Sequence, residues 1–389
     1  MAISARLDLD EILEHFEALE DPRSSINRLH PLSSVIVIAI LGVLAGSNGP
    51  TSIADWAGSK GRFLEELLDL PHGMPAKDVF RRVLMALNPL AFQECFANWL
   101  TALRRAAMEA AGLENICVAI DGKTLRRSHN AKKNLGALHS VSVWASELGL
   151  SLGQIATEEK SNEITAIPLV LSLVDLKGAI VTIDAMGTQT NIAQKILDGQ
   201  ADYVLALKGN HGTLFEAATE YLESCSQNDF QDCGAKRLEM TEKCHGRTET
   251  RTYLQMPVPE DLQGAARWPG LLTLGAAISY CIRDGKETTE ARFFISSLAV
   301  DVKRFARAVR NHWSIENACH WCLDVTYRED DSRIRDENLR VNMAWLNRFT
   351  LSLLKQVPDK LSVARRRKMC GWSEEYLMEV VAKQAESVP

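Results

Sequence analysis

The spacing of apolar residues divides the chain into a helical first part and a later part in which short strands alternate with helices. Apolar positions recur at helical intervals over roughly the first 110 residues. The longest apolar run, Val35–Gly46, predicts a buried helix, since a membrane span needs about 20 residues. After Gly112 the apolar runs shorten and turn residues separate them. We therefore predict an α/β fold: a mixed sheet with packed helices, preceded by an all-helical region.

The strands and helices of the second part are predicted from apolar runs and turn residues. Strands are predicted over 116–120, 137–146, 150–157, 179–183 and 202–207, and helices over 162–173, 189–197, 213–223, 301–310, 313–327 and 338–354. Residues 225–298 are β-rich and irregular, which leaves two interpretations open: an insertion, or extra strands packed beside the sheet. The predicted regions are 1–111 (helical), 112–224 (core, first part), 225–299 (β-rich insertion), 300–355 (core, second part) and 356–389 (helical basic tail).

Two of the predicted strands end in an aspartate that is closely followed by a glycine. The apolar run Cys117–Ile120 leads into Asp121 and a turn at Gly122, and residues 179–183 lead into Asp184. Open α/β sheets place their chemistry at the carboxyl ends of strands. A strand-end aspartate is also a common turn residue. Two in one chain are nevertheless worth testing as a pair of metal ligands.

A third carboxylate would complete a site for two Mg²⁺ ions, which favour oxygen ligands and can activate water against a phosphodiester. We expect this group on a helix, and the first choice is Glu316, within His312–Asp324. Spacing alone does not exclude the competing carboxylates, which are Asp324, Glu329 and Asp330.

Composition and charge narrow the class of protein only slightly. The 389 residues are 46% hydrophobic and 24% charged, which is typical of a globular protein. Nine scattered cysteines form no disulfide framework and no signal peptide is visible, so we expect a reduced, cytoplasmic protein without a membrane partner. The net charge of −6 argues mildly against nucleic-acid binding, although a local basic stripe is what phosphates respond to.

Several basic stretches can be interpreted either as solvent-exposed surface or as DNA-contacting residues. Five cations lie close behind Asp121 and favour phosphate contact beside the metals, although an exposed loop has the same composition; they are Lys123, Arg126, Arg127, Lys132 and Lys133. Lys208 follows a predicted strand and is a further candidate for DNA positioning. The run Arg365–Lys368 is predicted to be a solvated helix face, with DNA contact as the alternative.

Motifs spread along the chain resemble those of the H-repeat-associated transposases. This family is a branch of the DDE insertion-sequence transposases, which have a ribonuclease-H-like catalytic core. The similar segments, in chain order, are Asp21–Arg23, His30–Leu32, Ile120–Thr124, Lys160–Pro168, Ile183–Gly187, Asp202–Asn210, His245–Arg251, Arg310–Asn317 and Leu323–Asp330. The resemblance covers roughly residues 10 to 385, and an ordered series of motifs is more specific than one short match.

The resemblance implies a DNA transposase whose metal ligands are Asp121, Asp184 and Glu316. It implies Mg²⁺ as cofactor, with Mn²⁺ as a substitute, and cleavage at the ends of a mobile element followed by joining of the 3′-hydroxyl to target DNA. It further implies double-stranded DNA as partner and a homodimer on paired ends. Two alternatives are open: a metal-dependent nuclease of the same fold that never joins DNA, and a DNA-binding remnant without catalysis.

The chain departs from the wider DDE group around Glu316. That group often has a tyrosine, an arginine and a lysine at set distances from the glutamate, and these positions hold Val309, His312 and Leu323 here. The roles of those side chains therefore do not carry over. Arg310 and His312 are candidates to replace the phosphate contact, and they join Lys123, Arg126, Arg127 and Lys208 as predicted DNA-binding residues.

Overall fold

The structure is a computed structural model of the chain. It describes residue 16 and residues 19–24, 28–110, 112–129, 135–157, 162–244 and 247–381. The chain divides into two compact units. The first unit comprises Met1–Glu114, Gly122–Asn162 and Glu316–Pro389, and the second unit comprises Asn115–Asp121 and Glu163–Ile315.

The elements are numbered in chain order within the described residues. The α-helices are α1 Leu32–Leu44, α2 Pro50–Ser59, α3 Gly61–Leu67, α4 Lys77–Ala86, α5 Pro89–Ala110, α6 Glu163–Ser172, α7 Thr190–Asp198, α8 Thr213–Ser226, α9 Val302–Ser314, α10 Trp321–Val325, α11 Glu337–Gln356, α12 Val363–Trp372 and α13 Glu374–Val381. The strands are β1 Cys117–Leu125, β2 Leu138–Ala145, β3 Leu150–Thr157, β4 Ile180–Ile183, β5 Asp202–Leu207, β6 Lys236–Cys244, β7 Arg247–Pro257, β8 Thr273–Arg283 and β9 Lys286–Ser296. A π-helix, Ile315–His320, separates α9 from α10.

The strands form one mixed sheet in the order β3-β2-β1-β4-β5-β9-β8-β7-β6, with β1 shared by both units. Strands β1, β4 and β5 run parallel, whereas β5, β9, β8, β7 and β6 form an antiparallel series. Residues Val204–Leu207 of β5 pair with Phe293–Ser296 of β9. The β-rich stretch therefore extends the sheet itself. The predicted α/β fold with a mixed sheet and N-terminal helices is confirmed.

Helix α9 covers one face of the sheet in the second unit. Asp301 caps the helix by accepting hydrogen bonds from the backbone N–H groups of Lys303 and Arg304, each at 3.1 Å. Its apolar side packs on buried sheet residues; this cluster includes Phe305, Ala308, Val309, Cys117, Ile180, Val204 and Phe294. A Cβ at Gly275 would lie 2.3 Å from the Phe305 ring, so glycine lets this ring approach the sheet.

Helix α11 is buried over most of its length in the first unit. Its Phe349 and Trp345 meet the ring of Phe96 edge to face, an arrangement that aromatic quadrupoles favour. Asn342 donates hydrogen bonds to the carbonyl oxygens of Leu84 and Leu87 and so satisfies orphan groups at the end of α4. Helix α1 is buried, as predicted. Within the described residues, no helix is long and apolar enough to cross a membrane.

Three predicted elements differ from the structure. Strand β1 continues past Gly122 to Leu125, so the predicted turn after Asp121 is wrong. The two helices predicted over 301–310 and 313–327 are α9, the π-helix and α10 in continuous succession. Strand β6 was not predicted, because it is rich in charged residues and carries no clear apolar period.

Candidate active site

Asp121 and Asp184 occupy matching positions on neighbouring parallel strands of the second unit. Ile120 of β1 is in register with Ile183 of β4, and each aspartate is the next residue. Neighbouring strands lie about 4.8 Å apart. The register therefore places two carboxylate-bearing residues side by side at one edge of the parallel strands, both of them partly buried.

The backbone after β4 holds the Asp184 carboxylate in a tight turn. Its Oδ1 accepts hydrogen bonds from the backbone N–H groups of Met186 and Gly187, each at 3.1 Å. A Cβ at Gly187 would lie 2.4 Å from Ile183 and 2.7 Å from Ile167, so the turn requires glycine. Oδ1 is thereby oriented, and Oδ2 accepts no hydrogen bond from a described residue.

A second loop, following β5, is hydrogen-bonded to the loop that follows Asp184. Thr188 donates to the carbonyl oxygens of Asp184 and Ala206, at 3.0 and 2.8 Å. Asn210 donates to the Ala185 carbonyl at 2.8 Å, and Nε2 of His211 lies 3.0 Å from the Thr188 carbonyl. Lys208, in the same loop, is exposed. The contacts fix the backbone at the ends of β4 and β5.

His312 of α9 is packed against β4 two residues before Asp184. Its Nδ1 shares a hydrogen bond of 3.0 Å with Oγ1 of Thr182. Burial lowers the pKa of His312 to about 4, and the Asp184 carboxylate offsets only part of this effect. The imidazole is therefore neutral at pH 7. The structure places His312 under the strand end as a partly buried, neutral group.

Arg310, also on α9, belongs to a surface ion-pair network. Its guanidinium lies 3.0 Å from Glu242 of β6, which also pairs with Arg251 at 2.9 Å. Arg251 pairs in turn with Glu249 at 2.6 Å. The hydrogen bond from Arg251 is the main cause that lowers the pKa of Glu242. About half of the Arg310 side chain remains exposed to solvent.

Glu316 lies in the π-helix, which begins directly after α9. Short π-helical stretches inside α-helices often occur at functional sites. The Glu316 side chain is exposed, and no described residue hydrogen-bonds or ion-pairs with its carboxylate. Three other carboxylates were competing candidates for the third ligand, and their environments differ from that of Glu316.

Lys123 engages all three competing carboxylates within the first unit. Its ammonium lies 2.6 Å from Asp324, 3.5 Å from Asp330 and 4.0 Å from Glu329, and its side chain is only 6% exposed. These pairs leave no local signal in the sequence, because the partners lie some 200 positions further along the chain. The chain uses this lysine to join β1 to the segment that follows Glu316.

Glu329 is part of a buried polar network. Its Oε1 accepts from Arg348 at 3.3 Å and from Asn347 at 3.1 Å. The Arg348 guanidinium, fully buried, also donates to the hydroxyls of Ser140 and Ser142 on β2. A buried charge must be paired and hydrogen-bonded to be tolerated. Glu329 therefore serves as the counter-ion of Arg348.

The remaining basic residues fall into exposed and buried groups. Arg126 and Arg127 are exposed and pair with Asp330 at 3.3 Å and Asp331 at 3.2 Å. Lys132 and Lys133 lie outside the described residues. In the tail, the predicted solvated face is wrong for the two central residues, Arg366 and Arg367, which are buried. The Arg367 guanidinium donates to three backbone carbonyls; they belong to Val43, Ser47 and Thr326.

The strand-end aspartates suit a magnesium ion as a pair. Both are hard oxygen donors, and Asp184 retains an oxygen that its own turn does not use. Throughout the described part of the chain, no three His, Cys, Asp or Glu side chains are gathered so that they could hold a metal ion. Asp121 and Asp184 can therefore supply two of the ligands of a metal ion. A third ligand is not already gathered beside them among the described residues.

The chain is similar in sequence to known transposases over nearly its whole length. Residues 113–354 match the family model described as "Transposase DDE domain", and residues 13–100 match the model described as "DDE_Tnp_1-associated". A "Putative transposase YncI" of Escherichia coli O157:H7 is 37% identical over 387 residues, which cover 98% of this chain and 96% of that protein. The "H repeat-associated putative transposase YhhI" of Escherichia coli (strain K12) is 35% identical over 382 residues, 97% of this chain and 99% of that protein.

The chain belongs to the H-repeat-associated DDE transposase family. The matched DDE domain contains Asp121, Asp184 and Glu316. A solved structure, the piggyBac transposase synaptic complex with hairpin DNA, is 11% identical with a TM-score of 0.34, covering 98% of this chain and 86% of that chain. Likeness at this level supports no argument about this transposase, and the family assignment rests on the sequence matches.

Proposed function

We propose that this transposase cleaves phosphodiester bonds at the ends of a mobile element and joins the freed 3′-hydroxyl to target DNA. Asp121, Asp184 and Glu316 are the proposed ligands of two Mg²⁺ ions, with Mn²⁺ as a substitute. When bound, such ions activate water and stabilise charge on the attacking and leaving oxygens. The observation that carries the proposal is the register of β1 and β4, which puts Asp121 and Asp184 side by side.

The environments of the competing carboxylates favour Glu316 as the third ligand. Asp324 and Asp330 are neutralised by Lys123, and Glu329 by Arg348. A carboxylate that already balances a protein cation loses that pairing if it turns to a metal, and a buried cation left unpaired is costly. Glu316 has no such commitment among the described residues and is exposed.

The protein groups around the aspartates prepare the site. The Met186 and Gly187 N–H groups orient one oxygen of Asp184, and the Thr188 hydroxyl fixes the backbone of the same turn. A neutral His312 beneath β4 adds no positive charge that would compete with a cation. Preorganised donors reduce the reorganisation that a reaction would otherwise require.

Double-stranded DNA is the proposed partner, bound as element ends and as target by a homodimer on paired ends. Phosphate contacts position DNA and come mainly from exposed arginine and lysine side chains. Four of the predicted contacts are exposed enough for this role: Arg126, Arg127, Lys208 and Arg310. Lys123 is buried and His312 is partly buried, and their effect on DNA is proposed to be indirect.

The experiment is Mg²⁺-dependent nicking of a labelled duplex that carries the DNA flanking this gene. Wild type is compared with Asp121→Asn, Asp184→Asn and Glu316→Gln, each of which keeps size and removes charge. We expect nicking to fall at least about a hundredfold in all three, while binding to the duplex is retained. Glu223→Gln is the matched control, because Glu223 is an exposed carboxylate on α8 and belongs neither to the proposed ligands nor to the proposed DNA contacts.

The possible results distinguish a transposase from a nuclease and from a DNA-binding remnant. Nicking with joined products on paired ends supports transposition, whereas nicking without joining identifies a nuclease of the same fold. Specific binding without nicking in wild type identifies a DNA-binding remnant. Unchanged nicking by Glu316→Gln alone removes Glu316 from the ligand set.

A further inference from the structure

A cavity of about 390 Å³ lies within the first unit, beside α11 and the loop that precedes it. Its apolar wall includes Leu125, Met343 and Ala344, and its polar wall includes Arg333, Arg340 and Asn347. The volume is within the range of small-molecule sites, roughly 300–1,000 Å³. Neither the strand-end aspartates nor Glu316 line the cavity, so it is separate from the proposed metal site.

Three buried side chains that line the cavity have a polar atom without a described hydrogen-bond partner: Arg340, Asn347 and Glu329, whose Oε2 lies 4.0 Å from the Lys123 ammonium. Arg340 is 5% exposed; its Nη1 donates to the Gly136 carbonyl at 2.8 Å, but its Nε has no acceptor. Asn347 is 7% exposed; its Nδ2 donates to Glu329, which fixes the amide orientation and leaves Oδ1 without a donor. Buried polar atoms are nearly always hydrogen-bonded, and because the Arg340 and Asn347 side chains line the cavity, an occupant of the cavity can supply their partners.

The spacing of these atoms defines the shape of the ligand. Arg340 and Asn347 are seven residues apart on α11, which corresponds to two helical turns and about 10 Å. Met343 and Ala344 lie between them on the same face. One water molecule cannot serve both ends. A fitting ligand accepts a hydrogen bond at one end, donates one at the other and is flat or apolar in between.

Charge at the cavity indicates that the accepting end is anionic. Three arginines line it, Arg328, Arg333 and Arg340, together with two carboxylates, Glu329 and Asp331. Cations outside the lining pair with these carboxylates, Arg348 with Glu329 at 3.3 Å and Arg127 with Asp331 at 3.2 Å, so the arginines of the lining determine its charge. Arg328 adopts a left-handed backbone conformation, with φ at 57°, which is uncommon for a residue with a side chain. Arginine matches phosphate with paired N–H donors. A nucleotide has this combination: a phosphate, a flat base and an N–H donor on the base edge.

We propose that this cavity binds one unstacked nucleotide of the DNA. The phosphate contacts Arg333 and Arg340, the base lies between Leu125 and Met343, and a base N–H group donates to Oδ1 of Asn347. This inference rests on the proposed function for its source of nucleotides, but the binding itself does not require catalysis. Enzymes that extrude a base spend a few kcal/mol on unstacking and recover it in such pockets.

The first test is calorimetric titration of the full chain with each of the four deoxynucleoside 5′-monophosphates, without metal. We expect at least one to bind, and Arg333→Ala to weaken it about tenfold or more, because a charge-assisted hydrogen bond is lost. Arg335→Ala is the matched control: this arginine is exposed in the same loop but does not line the cavity. Inorganic phosphate is titrated in parallel.

The second test places 2-aminopurine at successive positions of the flanking-DNA duplex and records its fluorescence on metal-free binding. A rise at one position in wild type and in Glu316→Gln, lost in Arg333→Ala and kept in Arg335→Ala, supports the proposal. Ser332→Trp, which narrows the lining without removing charge, should also abolish the rise.

Three outcomes overturn the nucleotide site. They are no binding by any of the four nucleotides, equal effects of Arg333→Ala and Arg335→Ala, and phosphate binding as tightly as the nucleotides, which identifies an anion site only. Failure of the proposed function gives a different result, because loss of nicking leaves metal-free nucleotide binding unchanged.

Discussion

The ammonium of Lys123 lies 2.6 Å from Oδ1 of Asp324 and thereby joins the end of β1 to the helix that follows the π-helix. Lys123 is two residues beyond Asp121 on β1, and Asp324 is eight residues beyond Glu316. The Lys123 side chain is largely shielded from solvent, with an exposed fraction of 6%. Lys123 therefore stabilises the segment on which the third proposed ligand lies.

Lys123→Met should lower the free energy of unfolding by about 2–4 kcal/mol, since it leaves carboxylates around a shielded site without their cation. Arg126→Met is the control: Arg126 is 82% exposed and pairs with the same Asp330, so its loss should cost less than about 1 kcal/mol. Urea unfolding of both variants measures the difference. Equal losses would show that the Lys123 pairs contribute no more than a surface ion pair.

The salt dependence of DNA binding separates direct from indirect roles. Removal of one phosphate contact reduces the slope of log K against log salt concentration by about 0.9. We expect this reduction in Arg127→Met, because Arg127 is 57% exposed, and no reduction in Lys123→Met. A reduced slope in Lys123→Met would instead make this lysine a phosphate contact.

Gly187→Ala should disturb the turn that orients Asp184. The new Cβ would lie 2.4 Å from Ile183 and 2.7 Å from Ile167, and overpacking of this kind costs about 1–3 kcal/mol. Nicking should fall together with stability. Gly209→Ala is the matched control, because a Cβ there meets nothing within 4 Å. Thermal unfolding and the nicking rate measure both effects, and equal results for the two variants would contradict the role of the turn.

Acid should destabilise the chain through His320. Burial, with the positive charges of Arg348 and Lys123, lowers its pKa to about 3, against 6.5 in the unfolded chain. The unfolded state therefore binds the proton first, so stability is fully present above pH 6.5 and is lost as the pH falls toward 3. Between pH 7 and 4.5 this group should cost about 3 kcal/mol.

Unfolding by urea at pH 7 and at pH 4.5 tests the His320 prediction. His320→Gln should flatten the pH dependence in this range, because glutamine cannot take up the proton. His129→Gln, at an exposed histidine, is the control and should leave the pH dependence as in wild type. An unchanged slope in His320→Gln would show that other groups cause the acid loss.

The local pattern of apolar residues predicts those strands and helices that are stabilised mainly by burying apolar side chains. The strand over 202–207 was predicted with the bounds that β5 has, because a buried parallel strand is a continuous apolar run. The apolar runs that precede Asp121 and Asp184 were predicted as strands by the same reasoning, although β1 continues beyond Asp121. Strand β6 is polar and forms through nine paired positions with β7, which no single segment can reveal.

Long-range pairing explains what the sequence did not reveal about the site. Lys123 was predicted to contact phosphate from its place in a basic stretch, yet its charge partners come from residues 324–330. The π-helix has the same apolar spacing as the helices beside it, so its altered hydrogen bonding leaves no periodic signal. The nucleotide-sized cavity depends on distant segments meeting, which include β1 and α11.

The most direct test of the central claim is iron-mediated cleavage of the protein backbone. Fe²⁺ replaces Mg²⁺ at oxygen-rich sites, and ascorbate with peroxide then generates radicals that cut the chain beside the ion. We predict cuts near Asp121 and Asp184, suppressed by excess Mg²⁺ and absent in Asp184→Asn. Cuts confined to residues 324–331, or cuts near Asp121 that persist unchanged in Asp184→Asn, would contradict a metal site at the ends of β1 and β4.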